Sequence, residues 1–416
     1  MRKALAYSLM ALLLPLQICA QSLRKEIPHL EFACLQDNCI EFRGDSVSFE
    51  RFFDKMDSVL FFGEGNLRIV HIGGSHVQAG TLTRRLRNDL MSLRPALDGG
   101  RGLVFPFSAA RTNNPSSFTV GYQGTWDVSK NTQREPARRL GLTGMALTTS
   151  DNKASVTVTM VARDPKPAEP VFRFNRVRVL GYSQTGKREP VVVAGPGDTL
   201  TAPRGEADSC WTFFLPAFTD SVRVATKGTG EFTLKGICLE NPYPGITVTE
   251  IGVNGASLVS YAKCRDFESD LALLKPDMVI LAVGINDATA TNFTEDGFVQ
   301  AYKALVARIR SVAPDCALLF ITNNDSCRKV RRKGYVTNGN GQVAEQAFLR
   351  LGKDCDAGVW DLFKVMGGLG SVRDWEAAGL AKRDKVHFTE SGYELVGDLL
   401  FNALMDSYVQ HLKSSK

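Results

Sequence analysis

Apolar residues recur along this chain with two different periods. From Val47 to Phe62 they return every three or four positions, placing Phe49, Phe52, Phe53, Met56, Val59 and Leu60 on one side. This spacing predicts an amphipathic helix, which Gly63-Glu64-Gly65-Asn66 stops. Leu67-Arg68-Ile69-Val70-His71-Ile72-Gly73 then reads as a strand ending in glycine, and helical spacing resumes from Gln78 to Leu93. From about Asp98 to Pro244 helical spacing fades. Short β-type runs at 155–161, 171–179, 190–193, 210–215, 221–225 and 231–239 replace it, punctuated by Gly, Pro, Asp and Ser. After Pro244, strands at 246–253, 278–283, 317–322 and 358–362 alternate with helices at 256–274, 295–312, 343–353 and 390–412.

Such alternation predicts an α/β fold with a mostly parallel sheet and helices on both faces. The strand at 67–73 must join that sheet, because one strand–helix unit is not a domain. A crossover needs only about 30 residues, far fewer than separate Gly73 from Ile246. The stretch 98–244 therefore reads as a β-sandwich inserted after the first core helix. The expected organisation is an export signal at 1–20, a lead-in and first core segment at 21–97, the insert at 98–244 and the second core segment at 245–416.

The amino terminus supports the first boundary. Met1-Arg2-Lys3 precedes an apolar stretch from Ala4 to Ile18 and the small residue Ala20. This is the pattern of a secretory signal, too short to span a bilayer comfortably. Cleavage after Ala20 is expected, with lipid attachment at Cys19 as the rival, and the mature chain is expected to be periplasmic or secreted. No later run has the length of a membrane span. The formal charge of +6 includes Arg2 and Lys3, so the mature chain is weakly basic, which gives no argument for nucleic acid. The run Arg328-Lys329-Val330-Arg331-Arg332-Lys333 reads as a solvated loop. Loss of Cys19 leaves eight of nine cysteines, an even number in an exported chain. Cys34/Cys39 and Cys210/Cys238 are plausible local pairs. No cysteine and histidine spacing fits a zinc site, and the pattern calls for neither metal nor organic cofactor. It specifies no oligomeric state.

Four short segments carry the chemistry. Ser75 follows Gly73-Gly74 at the carboxyl end of a strand, the edge where open α/β sheets bind ligands. It is the candidate nucleophile, although alone it would pass for a helix-capping serine. His387 is the candidate base, and Asp384, three residues earlier, can bond one ring nitrogen and leave the other for the serine proton. Gly255, in Gly252-Val253-Asn254-Gly255, and Asn286, in Gly284-Ile285-Asn286-Asp287, follow sheet strands and are candidate oxyanion donors, by backbone N–H and side-chain amide. His71 reads as a structural histidine within a strand. His76 reads as a site-lining or packing residue.

Together these segments resemble the SGNH (GDSL-like) hydrolase family. The resemblance covers roughly residues 64–95 and 245–412, with the Ser, Gly, Asn and His blocks in the family's order. It implies a three-layer α/β/α, flavodoxin-like parallel sheet. It further implies ester hydrolysis by Ser75, His387 and Asp384, with Gly255 and Asn286 at the oxyanion. One departure is Gly74, where the family usually has Asp. A narrower resemblance, carried by Gly74-Ser75-His76, Asp98-Gly99-Gly100-Arg101-Gly102, Gly252-Val253-Asn254-Gly255-Ala256 and Val386-His387-Phe388-Thr389-Glu390-Ser391-Gly392-Tyr393, is to bacterial peptidoglycan O-acetylesterases. These carry a carbohydrate-binding-like β-domain within the hydrolase core. The expected partner is then an O-acetylated polysaccharide. The alternatives are another acetylated glycan or lipid, acetyl transfer, or a non-catalytic glycan-binding protein. In the insert, Trp126, Phe172, Phe174, Trp211, Phe213 and Phe214 read as core residues first and sugar-stacking residues second.

Overall fold

The computed structural model describes residues 23–161, 172–195, 198–202 and 209–414. The predicted export segment, with Cys19, lies outside the described residues. Among the described residues no helix is long and apolar enough to cross a membrane.

The core is a six-stranded sheet in the order Ile40–Phe42, Gly358–Trp360, Ala317–Ile321, Met278–Ala282, Asn66–Gly73, Gly245–Gly252. Only the first strand is antiparallel to its neighbour. Alternate residues face opposite layers, as strand geometry requires. Val70, Ile72, Val279, Leu281, Leu318 and Phe320 join one apolar cluster with Tyr261, Phe267, Phe298, Tyr302 and Phe348. Leu67, Ile69, Met278, Ile280 and Leu319 join the other, with Phe49, Phe52, Leu86, Leu90, Val396 and Leu400. Helices Phe267–Leu274, Glu295–Arg310 and Asn340–Asp354 thus cover one face, and Val47–Asp57, Thr81–Met91 and Glu390–Ser414 the other.

Between Met91 and Gly245 the chain builds two antiparallel sheets. One has five strands, the other six, including Gly100–Val104 paired to Phe232–Glu240. Their inner faces meet in a shared core of Val156, Val158, Val192, Val222 and Val224 against Met145, Leu147, Val177, Val179, Phe213 and Leu234. Of the six aromatics singled out above, Trp126, Phe172, Phe174, Trp211 and Phe213 are buried and only Phe214 is exposed. Five strands of these sheets, Gly100–Val104, Phe118–Gln123, Asp127–Lys130, Met145–Thr149 and Asp198–Leu200, were not evident in the spacing of apolar residues.

Two predicted helices are broken. Residues 78–93 divide at Gly80, in the left-handed region with φ of 79°, into Ser75–Gln78 and Thr81–Met91. Residues 256–274 divide into Leu258–Ala262 and Phe267–Leu274. There the Asp266 N–H donates to Leu140 O of the insert, and Lys263 Nζ donates to Asn131 O and Gln133 O. The basic run forms an antiparallel hairpin, Cys327–Val330 with Gly334–Thr337. All eight cysteines among the described residues are free. Cys210 and Cys238 flank the same strand, opposite Leu180 and Arg178. They therefore stand two strand spacings apart across the sheet and two residues apart along it, roughly 11–12 Å, beyond the reach of a disulfide.

Buried charge fastens the β-sandwich to the core. Glu250, on the last core strand, receives Arg87 from the Thr81–Met91 helix at 3.1 Å and Arg101 from Gly100–Val104, all three buried. Burial alone would raise the Glu250 pKa; the two guanidinium groups hold it below the ordinary carboxylate range. Lys235 of the sandwich meets Asp266 at 2.8 Å and Asp270 at 2.7 Å. Glu250→Gln would leave two buried guanidinium groups without their counter-charge. We expect it to lower unfolding free energy by about 3–5 kcal/mol, measured by denaturant unfolding; an unchanged midpoint would contradict this anchoring role.

Candidate active site

The strand Asn66–Gly73 runs beside Gly245–Gly252 in parallel register, with Gly73 opposite Gly252. Both turns that follow, Gly74-Ser75 and Val253-Asn254-Gly255, therefore leave the sheet at one height. A Cβ on Gly73 would stand 2.3 Å from Val77 Cγ2 and 2.8 Å from Ala282 O, so only glycine lets the chain turn here. Tyr261 fixes the strand end by donating its hydroxyl to Gly73 O at 2.7 Å. Ser75 opens the single-turn helix Ser75–Gln78.

Ser75 Oγ lies 2.8 Å from His387 Nε2. On the other side of the ring, His387 Nδ1 lies 2.9 Å from Asp384 Oδ2. An ionised carboxylate only accepts, so Nδ1 carries the proton and Nε2 is left to accept from the serine. Asp384 is itself held. Its Oδ1 accepts the N–H groups of Val386 at 3.0 Å and His387 at 2.9 Å, a turn that Lys385 permits by entering the left-handed region. Partial burial raises the Asp384 pKa, but these backbone donors and the His387 ring outweigh it and hold the carboxyl below its usual range.

His76 packs against His387 with ring centroids 5.2 Å apart, and its Nδ1 lies 2.9 Å from the Tyr393 hydroxyl. Burial, then the neighbouring His387, lowers the His76 pKa to about 3. It is a neutral wall that adds no second positive charge beside the base.

Asn286 donates one amide hydrogen to Ala256 O at 2.8 Å, and the other has no partner among the described residues. Its Nδ2 stands 3.5 Å from where a Gly74 Cβ would be, next to the serine turn. Gly255 adopts φ of 80°, and its N–H makes no hydrogen bond to the described protein. Asp287, raised to about 6 by burial, accepts the Leu258 N–H and ties the Asn286 loop to the Gly255 loop. Ser75, His387 and Asp384 are thus directly linked. Gly255 and Asn286 flank them without bonding to Ser75.

The motifs did not expose Gln78. This buried side chain, one turn beyond Ser75, accepts the Asn254 N–H at 2.7 Å and donates to Thr112 and Asn113. Tyr261 was equally invisible, and Tyr393, although inside the closing motif, was given no role there, since nothing in a tyrosine's sequence position tells which carbonyl or ring it will reach. Gly74, the departure from the family pattern, has its turn supported instead by Tyr261 and Gln78. Among the described residues, Asp54, Asp57 and His411 bring three possible metal-ligand atoms within 4.8 Å of one another. They lie on the outer helices, and the site just described contributes none of them.

Residues 228–395 match the GDSL-like Lipase/Acylhydrolase family. The matched segment holds Gly255, Asn286, Asp384 and His387, and leaves Ser75 outside, ahead of the inserted sheets. A solved structure of a peptidoglycan O-acetylesterase is similar over 89% of this chain and 99% of that chain, with a TM-score of 0.73 and 24% identity. An acetyl xylan esterase is similar over 38% of this chain and 81% of that one, at 22% identity and a TM-score of 0.30. A family two carbohydrate esterase from Cellvibrio japonicus is similar over 71% and 99%, at 12% identity and a TM-score of 0.29. No curated protein sequence was found to match. The fold is an SGNH/GDSL-like hydrolase fold with an inserted β-sandwich, and the family match supports a carboxylic ester hydrolase.

His71, one residue before Ile72 in the strand that leads to Ser75, is fully buried with Nδ1 2.9 Å from Thr83 Oγ1. Burial, opposed by Glu250 and aided by Arg87, lowers its pKa from 6.5 to about 4. The unfolded chain takes up this proton near pH 6.5 and the folded chain only near 4. Stability therefore falls as pH drops through that window, by up to about 1.4 kcal/mol per pH unit from this group. His71→Asn should flatten the pH dependence of the urea midpoint between pH 6.5 and 4. An unaltered slope would show that His71 is not held neutral.

Proposed function

We propose that this protein is an exported serine esterase that removes O-acetyl groups from a polysaccharide, with peptidoglycan as the leading substrate and residues 98–244 as a domain inserted in its hydrolase core. The observation that carries the reading is the unbroken hydrogen-bond chain Ser75 Oγ–His387 Nε2, His387 Nδ1–Asp384 Oδ2, at 2.8 and 2.9 Å. A serine hydroxyl is a weak nucleophile until a base takes its proton, and a base acts well only when its tautomer is fixed. Both conditions are met by this chain of contacts.

In this mechanism Ser75 Oγ attacks the acetyl carbonyl while its proton passes to His387 Nε2. The carbonyl oxygen becomes an oxyanion, received by the Ser75 and Gly255 N–H groups and the free Asn286 amide hydrogen. Collapse breaks the bond to the sugar oxygen, which takes the proton from His387. Water then attacks the acetyl-enzyme, delivering a proton to the same nitrogen; the second collapse breaks the bond from the acetyl carbon to Ser75 Oγ, which takes that proton back from His387 as acetate leaves. Asp384 remains ionised and stabilises the imidazolium. The polysaccharide substrate is favoured by the expected export signal and by the likeness in fold over nearly the whole length of a peptidoglycan O-acetylesterase.

The test is acetate release from O-acetylated peptidoglycan, beside hydrolysis of a chromogenic acetyl ester. Ser75→Ala should lower kcat on both by about 10³–10⁶-fold, and Asn286→Ala by about 10²–10³-fold. Turnover of the small ester alone would keep the mechanism and remove the glycan. Full activity in Ser75→Ala would remove the mechanism.

A further inference from the structure

The Gln78 network has a polarity that can be worked out from the backbone alone. A backbone N–H only donates and a carbonyl only accepts. The Asn254 N–H therefore requires Gln78 Oε1, and Asn113 O requires Gln78 Nε2. Gln78 Nε2 also lies 3.1 Å from the Asn113 side chain, so the atom it meets must be Oδ1. The Asn254 side chain approaches that same Oδ1 at 2.6 Å and must present Nδ2. Both asparagine orientations are thus fixed by a buried glutamine.

The consequence lies on the outer side. Asn113 Nδ2 and Asn254 Oδ1 have no hydrogen-bond partner among the described residues, and both side chains are exposed. A donor and an acceptor of fixed polarity are left open, one residue before Gly255 and beside the turn that carries Ser75. Asn113 comes from the connection between the sandwich strands Gly100–Val104 and Phe118–Gln123, Asn254 from the core. Thr132, from a sandwich loop, closes the same rim, its Cγ2 3.9 Å from where a Gly255 Cβ would be.

We propose that Asn113 and Asn254 form an acetamide-reading subsite that selects polysaccharides built from N-acetylated amino sugars. A sugar hydroxyl donates or accepts as required and cannot read a fixed polarity. A secondary amide offers one carbonyl acceptor, for Asn113 Nδ2, and one N–H donor, for Asn254 Oδ1. The subsite rests on the esterase reading above and adds to it the residues that choose the glycan. It needs both segments in place, so the β-sandwich takes part in specificity through the connection between its first two strands and not through stacked aromatics, which are mostly core.

Asn113→Asp is the discriminating variant. It keeps an acceptor for Gln78 and Asn254 and removes only the outward donor. Three substrates are compared: O-acetylated peptidoglycan, O-acetylated xylan, which lacks acetamido groups, and a small chromogenic acetyl ester. The variant should lose about tenfold more kcat/KM on peptidoglycan than on either of the others. In a second readout, N-acetylglucosamine should inhibit small-ester hydrolysis by the wild type more strongly than glucose does. That difference should vanish in Asn113→Asp, and because both sugars are neutral the added charge does not explain it. Equal losses on all three substrates, or equal inhibition of the wild type by both sugars, would overturn the subsite. Wild type that cleaves neither glycan yet is selectively inhibited by N-acetylglucosamine would support the subsite and overturn the polysaccharide esterase reading instead.

Discussion

The parallel pairing of Asn66–Gly73 with Gly245–Gly252 is the constraint on which the rest of this structure depends. It brings together two strands that are separated in the chain by two whole antiparallel sheets. Its register, Gly73 opposite Gly252, sets the serine turn and the Asn254-Gly255 loop at the same edge. Slipping by one residue would turn every side chain to the opposite face, exchanging Ile69 with Val70 between two apolar layers that differ in shape. The layered core thus locks the register, and the register positions the site. The entropy of closing so long an excursion grows only with the logarithm of its length, so an insertion at this point is tolerable if its two ends are fastened.

Fastening is what the buried charges accomplish. Glu250 joins the returning strand to the Thr81–Met91 helix and to the first sandwich strand at once. Lys235 joins the far sandwich strand to the Phe267–Leu274 helix. Buried ion groups are costly to desolvate and seldom add net stability over apolar packing. Their polarity makes the docking specific, since a shifted sandwich would leave a bare charge inside. The same junction delivers Thr112 and Asn113 to Gln78, so placement of the insert and placement of the Gly255 loop are coupled through one buried amide.

Much of this architecture was legible in the residues. Apolar runs at 67–73 and 278–283, the mark of strands buried on both faces, with helical spacing between the later strands, were enough for a layered parallel sheet. The long gap before the second strand was enough for an insertion. Ser75, Asp384 and His387 stood out because their chemistry is local: a glycine turn, and an aspartate three residues before a histidine. What stayed hidden depends on distant partners. The helix at 256–274 breaks where Leu140, from a loop of the insert, offers Asp266 an acceptor. Residues 78–93 break at a glycine that periodicity alone passes over. Cys210 and Cys238 looked like a local pair until the strand between them was known. Gln78 gave no signal, because a single buried glutamine has no spacing to recognise.

If Ser75 is the nucleophile proposed here, made reactive by His387, it should be open to covalent labelling. The protein would be treated with a serine-reactive fluorophosphonate and the adduct located by intact mass and peptide mapping. One adduct is expected, on Ser75, absent from Ser75→Ala and formed far more slowly in His387→Ala. An adduct on another residue, or labelling of Ser75 at the same rate without His387, would contradict it.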